Sequence, residues 1–325
     1  MQPSPRRRSR WVVLVWGLNV LGILGLAVIL AVYFSRQPVQ AAPAGFVYSG
    51  GTPRATNTAA PTSFYLPTVT PNPLATEIED YSTPTPFVFA GDSGSAVVGF
   101  SVQGRPIRAY TFGQGETQYL IVAGIHGGYE SNTVDLANQL ILYLGQNPDV
   151  VPASDTLYVI PDMNPDAVAR GRNADARVNA NGVDLNRNFP SENWTATWDH
   201  TPCWNERPTT GGTYGGSEPE TRAVMSFIGS HGIQAMISYH SAALGVFPGG
   251  IPWQAASEDL ARTLSTQTGY PYPPVNTGCI YTGTLADWAV EHGAGAAVDM
   301  ELSTHQDAEF SRNLRALKAL LGFTG

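Results

Sequence analysis

Short apolar runs alternate with amphipathic stretches in this chain from about Gly99 to its end. A short apolar run suits a buried strand, whereas apolar residues that recur at helical spacing suit a helix that covers a sheet. Strands that alternate with helices build an α/β sheet that is covered on both faces. The sequence therefore predicts one domain over residues 91–325, with a single mixed β-sheet between two layers of helices.

The apolar spacing places the main strands and helices of this domain. The predicted strands are Tyr119–Ile125, Thr156–Pro161, Ala235–Tyr239 and Ala296–Leu302. The predicted helices are Ser131–Leu144, Pro219–Ile228, Ser257–Thr268 and Asp307–Leu321.

The N-terminal segment predicts a membrane anchor outside this domain. Four arginines, at positions 6, 7, 8 and 10, precede an uncharged run of 24 residues from Trp11 to Phe34. A helix of that length spans roughly 36 Å, enough to cross the hydrocarbon core of a membrane. The basic tail, 1–10, places the N-terminus in the cytoplasm and the domain outside the cell. The alternative is a signal peptide cleaved near Ala41 or Ala44 to give a secreted protein, but signal peptides usually have a shorter apolar segment.

Residues 35–90 are rich in proline, threonine, alanine and serine and lack the apolar periodicity of a folded core. This composition predicts a flexible, disordered linker between the anchor and the domain. The formal net charge is −8, and it is −12 for residues 11–325, without the four N-terminal arginines. Such an acidic domain argues against nucleic acid as a partner.

Four side chains that can bind a metal or transfer a proton stand at the ends of predicted strands. His126 and Glu130 follow the first strand, His240 ends the third, and Glu301 lies at the end of the fourth. Ligands of α/β sheets bind at the carboxyl ends of strands, so these side chains are expected to meet. Two histidines and one carboxylate around an open position describe a catalytic zinc site, and a second carboxylate can serve as a base.

The segment from Arg177 to Pro190, RVNANGVDLNRNFP, interleaves arginines and asparagines around the apolar Val183 and Leu185. A guanidinium group offers a rigid fork of hydrogen-bond donors to a carboxylate, and an amide adds another donor. The segment is therefore a candidate carboxylate-binding site, although a polar turn after a strand would have a similar composition.

Several segments together resemble the zinc carboxypeptidases of the M14 type, which are carboxypeptidase A-like. The resemblance begins near Gly99 and continues to the end of the chain, and its most specific part is VDLNRNFP. The matching segments are GIHGGYE, MNPDAVARGRNADARVNANGVDLNRNFP, GGSEPETRA, SYHS, TLADWA after Tyr281, and DMELS.

The resemblance implies one zinc ion, held by His126, Glu130 and His240, and Glu301 as the general base that activates water. The family usually has two residues between the first histidine and the glutamate, whereas this chain has the three residues 127–129. Two of these are glycines, which tolerate unusual backbone angles and can absorb the extra residue.

The resemblance also implies the substrate contacts. Arg177 would stabilise the oxyanion, and Asn186 and Arg187 would hold the terminal carboxylate of a peptide. Tyr281 matches the mobile tyrosine that covers the bound substrate. Ala286 would line the side-chain pocket, and because it is small and neutral we expect no dedicated pocket for lysine or arginine.

Some assignments have alternatives. Tyr270 or Tyr272 could supply the covering hydroxyl, because the loop after Tyr281 is shorter than in the digestive members of the family. Cys203 and Cys279 could form a disulfide between two loops or remain as thiols. Either of two aspartates that flank the second strand could orient a zinc-binding histidine, and one of three tryptophans after Pro190 could line the cleft. The aspartates are Asp162 and Asp166, and the tryptophans are Trp194, Trp198 and Trp204. The remaining histidines, which we interpret as structural, are His200, His231, His292 and His305.

The expected function is that of a membrane-anchored, monomeric zinc metallocarboxypeptidase. Its substrates would be extracellular peptides with a free C-terminal carboxylate, including wall peptides with a γ-D-glutamyl-diamino acid bond. One alternative is a deacylase of N-acyl amino acids, similar to aspartoacylase, which would use the same metal ligands. Another is a peptide-binding module without catalytic activity.

Overall fold

The computed structural model describes residues 94–198 and 209–325. The predicted basic tail, membrane span and linker, 1–10, 11–34 and 35–90, lie outside the described residues. In the part of the chain that is described, no helix is both long enough and apolar enough to span a membrane.

Seven strands form one mixed sheet in the described residues, in the spatial order β1-β2-β4-β3-β5-β7-β6. The central strands β4, β3, β5 and β7 are mutually parallel, whereas β1, β2 and β6 pair antiparallel at the two sides. The strands are β1 (Ser95–Phe100), β2 (Pro106–Gly113), β3 (Thr117–Val122), β4 (Asp155–Ile160), β5 (Ile233–Ser241), β6 (Val246–Pro248) and β7 (Ala296–Leu302).

Helices cover both faces of this sheet. The helices are α1 (Ser131–Gln146), α2 (Pro165–Val168), α3 (Pro219–Gly229), α4 (Ala255–Thr268), α5 (Leu285–Glu291) and α6 (Phe310–Leu321), with 3-10 turns at Pro148–Val150, Ala174–Arg177 and Leu185–Arg187. One core lies between the sheet and α1, α4 and α6, and a second core lies between the opposite face and α3 and α5.

The central strand β3 shows why two helical layers are needed. Tyr119 and Ile121 belong to the first core, whereas Leu120 and Val122 belong to the second. Successive side chains of a strand point to opposite faces, so an uninterrupted apolar run needs cover on both sides. Burial of each large apolar side chain stabilises the folded state by about 1.5–3 kcal/mol. Helices on both faces of the sheet therefore stabilise the fold by burying both sides of β3.

The predicted mixed α/β architecture is confirmed, and the four predicted strands correspond to β3, β4, β5 and β7. The four predicted helices correspond to α1, α3, α4 and α6, but α6 begins at Phe310 and not at Asp307. Glu309, immediately before it, has a left-handed φ of 48°, which a right-handed helix does not contain. β1, β2, β6 and the short helices α2 and α5 were not predicted from the sequence.

Candidate metal centre and substrate cleft

The carboxyl ends of β3, β5 and β7 meet at one edge of the sheet, where they border a cavity of about 1020 Å³. All nine site residues that were predicted from the sequence line this cavity. They are His126, Glu130, Arg177, Asn186, Arg187, His240, Tyr281, Ala286 and Glu301. The parallel centre of the sheet therefore brings together residues that are far apart in the sequence.

Three of these residues form a compact, buried group that could hold a metal ion. One ligand atom from each of His126, Glu130 and His240 lies within 4.8 Å of the other two. The Nδ1 atom of His126 lies 2.8 Å from Oε1 of Glu130, and Nδ1 of His240 lies 3.3 Å from Oε2 of the same glutamate. The two Nδ1 atoms are 3.2 Å apart, so both histidines present the same nitrogen to one point.

This group fits a zinc ion by its donor chemistry. Two imidazole nitrogens and one carboxylate oxygen are a known ligand set of catalytic zinc, which keeps a fourth position open for water or substrate. The remaining ring nitrogens have partners of their own: Nε2 of His126 lies 3.0 Å from Asp184, and Nε2 of His240 lies 3.0 Å from Ser238. Such contacts fix the tautomer and orientation of a metal-binding histidine.

The extra residue between His126 and Glu130 is accommodated by close backbone packing. Gly127 has a left-handed φ of 46°, and a Cβ atom there would lie 2.2 Å from the Cβ of Ala167 in α2. A Cβ atom on Gly128 would lie 2.2 Å from the carbonyl oxygen of Gly171. Only residues without a side chain can pack this closely, so the glycine pair lets the loop bring both ligands to the same point.

Asp184 connects the metal ligands to the arginine and asparagine segment. Its Oδ1 contacts His126, and its Oδ2 accepts a hydrogen bond from Nε of Arg177 at 2.9 Å. Although burial raises the pKa of the Asp184 carboxyl, the charges of Arg177 and His126 outweigh it and hold that pKa well below its usual range. Asp184 therefore stays ionised and fixes both neighbours.

Arg177 lies next to the metal-binding group. Its guanidinium group lines the cavity, and Nη1 is 3.5 Å from Oε1 of Glu130. Burial lowers the pKa of Arg177, but the carboxylates of Asp184 and Glu130 raise it above its ordinary value. The side chain thus remains a cation at the point where the predicted reaction would develop negative charge.

Asn186 and Arg187 lie in the buried 3-10 turn Leu185–Arg187, which Asp184 caps by accepting a hydrogen bond from the backbone N–H of Asn186. The guanidinium carbon of Arg187 lies 4.0 Å from the centre of the Trp198 ring. Nε of Arg187 is buried and has no hydrogen-bond partner among the described residues. An unpaired buried donor favours binding of an acceptor group, and a carboxylate matches its charge.

Glu301 is the penultimate residue of β7 and the register partner of His240 on β5. Its Oε2 accepts a hydrogen bond from the backbone N–H of Ala243 at 2.9 Å. The pKa of the Glu301 carboxyl is raised to about 7, mainly by burial and also by the nearby Glu130 and Asp299 carboxylates, against the lowering effect of His240. The group can therefore exchange a proton near neutral pH.

Of the three tyrosines considered for the covering role, Tyr281 lines the cavity, with its ring centre 5.1 Å from the guanidinium carbon of Arg187. The two alternative tyrosines point elsewhere. Tyr270 is buried and donates a hydrogen bond to Glu309, and Tyr272 donates one to Glu258. Ala286 lies at the start of α5 and is buried against the cavity.

Asp162 and Asp166 do not orient a histidine of the site. Asp162 accepts a hydrogen bond from the backbone of Asn164, and Asp166 bonds Ser101 and Arg105. Asp184 instead contacts the ring of His126 and can orient it. This residue precedes the 3-10 turn that carries Asn186.

Sequence reasoning missed three further residues of the site region: Asp184, Asp299 and His305. Asp299 could have been found, because it lies two positions before Glu301 and so faces the same side of β7. His305, interpreted above as structural, lines the cavity and lies 3.1 Å from Oγ of Ser241. It lies in a loop after β7, and no spacing rule pointed to it.

One of the loops that border the cavity carries a disulfide-bonded cysteine. Cys279 lines the cavity and is disulfide-bonded. The chain has one other cysteine, Cys203, which lies outside the described residues. Trp198 also joins these loops, because its Nε1 donates a hydrogen bond to the carbonyl of Ile280 at 2.9 Å.

Known proteins share this sequence pattern and this fold. Murein peptide amidase A from Escherichia coli strain K12 is 36% identical over 128 residues, which cover 37% of this chain and 48% of that protein. Carboxypeptidase A1 from Rattus norvegicus is 28% identical over 238 residues, which cover 63% of this chain and 56% of that protein. The chain thus spans about half the length of these relatives.

A crystal structure of the murein-tripeptide amidase from Escherichia coli O157 superposes with a TM-score of 0.51 at 24% identity, over 71% of this chain and 93% of that one. At that identity the likeness shows a shared fold. The sequence profile described as zinc carboxypeptidase matches residues 95–318. The match covers more than half of the chain, which therefore belongs to the zinc carboxypeptidase family.

Proposed function

We propose that this protein is a zinc metallocarboxypeptidase that removes C-terminal residues from peptides outside the cell. The observation that carries the proposal is the position of His126, Glu130 and His240 beside Arg187 in one cleft. The first three side chains would hold the zinc ion. When bound, zinc supplies Lewis acidity, which polarises a carbonyl group and makes water more acidic.

The arginines would select and orient the substrate. Arg187 and Asn186 would bind the terminal carboxylate, because a guanidinium group and an amide together offer several donors to it. A peptide bond in mid-chain provides no carboxylate for this site, which restricts cleavage to the end of a chain. Arg177 would donate hydrogen bonds to the oxyanion that forms on the scissile carbonyl, a contact worth roughly 3–4 kcal/mol in comparable sites.

Glu301 would act as the general base and then as the general acid. It would accept a proton from the attacking water and pass it to the leaving amine. Its Oε2 is held by the backbone of Ala243, whereas Oε1 has no hydrogen-bond partner among the described residues. Tyr281 would cover the bound residue from the loop that carries it.

The size of the cavity supports peptides over small N-acyl amino acids. At about 1020 Å³, it is as large as the sites that enclose drug-sized ligands. A murein peptide amidase among the relatives supports wall peptides, including those with a γ-D-glutamyl-diamino acid bond, as one source of substrate. The deacylase alternative would not need a groove long enough for a peptide.

The setting of the reaction is a further part of the proposal. The apolar run 11–34, preceded by four arginines, supports a single membrane span with the catalytic domain outside the cell, or secretion if the segment is cleaved. The catalytic domain would act as a monomer, because all candidate residues come from one chain.

The test is product identification with a matched pair of variants. The purified domain should release single C-terminal residues from peptides and lose this activity with a chelator, and C-terminally amidated peptides should be resistant. Glu301→Gln should lower kcat about 100- to 10,000-fold while zinc content stays at one ion per chain. Full activity in Glu301→Gln, or hydrolysis of N-acetyl amino acids but not of peptides, contradicts the proposal.

A further inference from the structure

Residues 279–283, which we call the cover segment, carry Tyr281 and lie against the loop 191–198. Asn193 in this loop bonds the cover segment twice. Its Nδ2 donates a hydrogen bond to the carbonyl oxygen of Tyr281 at 3.1 Å, and its Oδ1 accepts one from the backbone N–H of Gly283 at 3.0 Å. One side-chain amide thus satisfies a backbone acceptor and a backbone donor two residues apart, as a neighbouring strand would, and fixes their orientation.

The end of the cover segment is packed on the backbone that carries Arg187. The carbonyl oxygen of Gly283 accepts a hydrogen bond from the backbone N–H of Phe189 at 3.1 Å. Gly283 has a left-handed φ of 64°, and a Cβ atom there would lie 2.5 Å from the carbonyl oxygen of Arg187. Only a residue without a side chain fits this approach. The cover segment is therefore fastened directly to the turn that would bind the terminal carboxylate.

The start of the cover segment is also tied down. Nε1 of Trp198 donates a hydrogen bond to the carbonyl oxygen of Ile280 at 2.9 Å. Cys279, the preceding residue, is disulfide-bonded, and the one other cysteine of the chain is Cys203. A disulfide restricts the conformations that the chain around it can adopt, so the segment is constrained at both of its ends.

The ring of Tyr281 itself has three neighbours. It meets the ring of Phe247 edge-on, with 5.6 Å between the ring centres and 81° between the planes. Its centre lies 5.1 Å from the guanidinium carbon of Arg187, and its hydroxyl group lies 3.1 Å from Oγ1 of Thr277. Edge-to-face aromatic pairs and cations near a ring are attractive contacts. All of these contacts are made within the protein, so they do not depend on a substrate.

We propose that the cover segment is held over Arg187 before a substrate binds, with Asn193 as the positioning residue and the disulfide as a second tether. The inference rests on the proposed carboxypeptidase function and adds how its substrate site is organised. The resemblance to the family implies a mobile tyrosine, whereas the contacts of Tyr281 and Gly283 favour a cover that is already in place. A preformed cover avoids the cost of ordering a loop when the substrate binds.

Hydrogen exchange at the amide of Gly283 tests the closed position directly, because this amide donates to Asn193. In the purified protein it should exchange at least about 10-fold more slowly than in an unstructured peptide of the same sequence, as expected for a segment that is closed at least about 90% of the time. Slowing by less than about 10-fold would show a segment that opens freely, and this result would overturn the proposal.

Asn193→Ala assigns the closed position to its residue. The variant loses both hydrogen bonds to the cover segment, so the amide of Gly283 should exchange at least about 5-fold faster than in wild type. Asn147→Ala is the matched control, because it also removes an amide that bonds a backbone carbonyl, that of Tyr143 on α1. It should leave exchange at Gly283 unchanged. Equal exchange in Asn193→Ala and wild type would overturn the role of Asn193.

Steady-state kinetics of the same variants separate positioning from a general structural role. The apparent affinity for a substrate falls with the fraction of molecules whose site is ready to bind it. Asn193→Ala should therefore raise KM about 3- to 30-fold, with a smaller change in kcat and with the zinc content of wild type. A lower kcat with an unchanged KM would indicate only a loss of folded enzyme and would contradict the proposal.

The disulfide is tested by the double variant Cys203→Ser/Cys279→Ser, which leaves no thiol in the chain. Exchange at Gly283 should again become faster, and unchanged exchange would overturn the part of the proposal that concerns the disulfide. If the wild-type protein turns over no peptide, the proposed function fails, while exchange at Gly283 still decides whether the cover is preformed.

Discussion

Trp198 lies against the guanidinium group of Arg187, with 4.0 Å between the guanidinium carbon and the centre of the indole ring. Arg187 otherwise donates to the carbonyl oxygen of Asn186 and keeps its Nε unpaired. The indole ring therefore fixes the orientation of the side chain that would bind the terminal carboxylate, and it does so without using the donors that the substrate needs.

Trp198→Ala should weaken substrate binding more than it slows the chemical step. Loss of a cation–π contact of about 0.5–2 kcal/mol raises KM roughly 2- to 30-fold, with a smaller change in kcat. Steady-state kinetics on one peptide substrate measure both constants. Trp198→Phe keeps an aromatic ring and should lie between wild type and Trp198→Ala; equal KM values in all three proteins would exclude this role.

Asp184→Asn should weaken zinc binding. The carboxylate holds Nε2 of His126 at 3.0 Å, and loss of such an outer contact typically lowers metal affinity about 10- to 100-fold. Competition with a chromophoric chelator measures the affinity directly, independently of activity. Asp135→Asn, which changes an exposed aspartate on α1, is the control and should leave the affinity unchanged. An affinity in Asp184→Asn equal to that of wild type would contradict the assigned contact.

Gly128→Ala should destabilise the protein and displace the metal ligands. The added methyl group would meet the backbone oxygen of Gly171 at 2.2 Å, and backbone cannot move aside cheaply, so we expect a loss of about 1–3 kcal/mol in the free energy of unfolding. Gly145→Ala, on α1, is the control, because its methyl group would meet no atom within 4 Å. It should be neutral or stabilising. Urea unfolding of both variants is the measurement, and an unchanged midpoint in Gly128→Ala would count against the close packing.

Asp162→Asn should alter the pH dependence of stability. Burial, aided by the charge of Asp166, raises the pKa of the Asp162 carboxyl to about 7 from its ordinary value of 3.8. The folded state then binds the proton more tightly than the unfolded state, so this group's contribution to stability is present below pH 4 and is lost as the pH rises to 7.

Asparagine keeps the acceptor for Asn164 without the charge. The Asp162→Asn variant should therefore have a higher Tm than wild type at pH 8, and the two values should converge near pH 4.5. Parallel melting curves of both proteins across this range measure the difference, and a constant difference would refute the raised pKa.

The central strands and the site residues at their ends could be predicted from the sequence for the same physical reason. Runs such as YLIVAGI are buried on both sides, so β3, β5 and β7 were visible as strands, and His126, His240 and Glu301 followed from their ends. The outer strands β1 and β2 contain both exposed and buried positions. They therefore lack the uninterrupted apolar run that identifies a central strand in the sequence. His305 and Asp184 act through contacts between distant loops, and these depend on the folded chain.

The order of strands also sets the order in which the site can form. β7, the last strand along the described chain, lies inside the sheet, between β5 and β6. His126 and Glu130 follow β3, and His240 lies on β5, so the candidate metal ligands can meet before β7 pairs with its neighbours. Glu301 and Asp299 lie on β7 itself, so the candidate general base joins the site only when this last strand is inserted between β5 and β6.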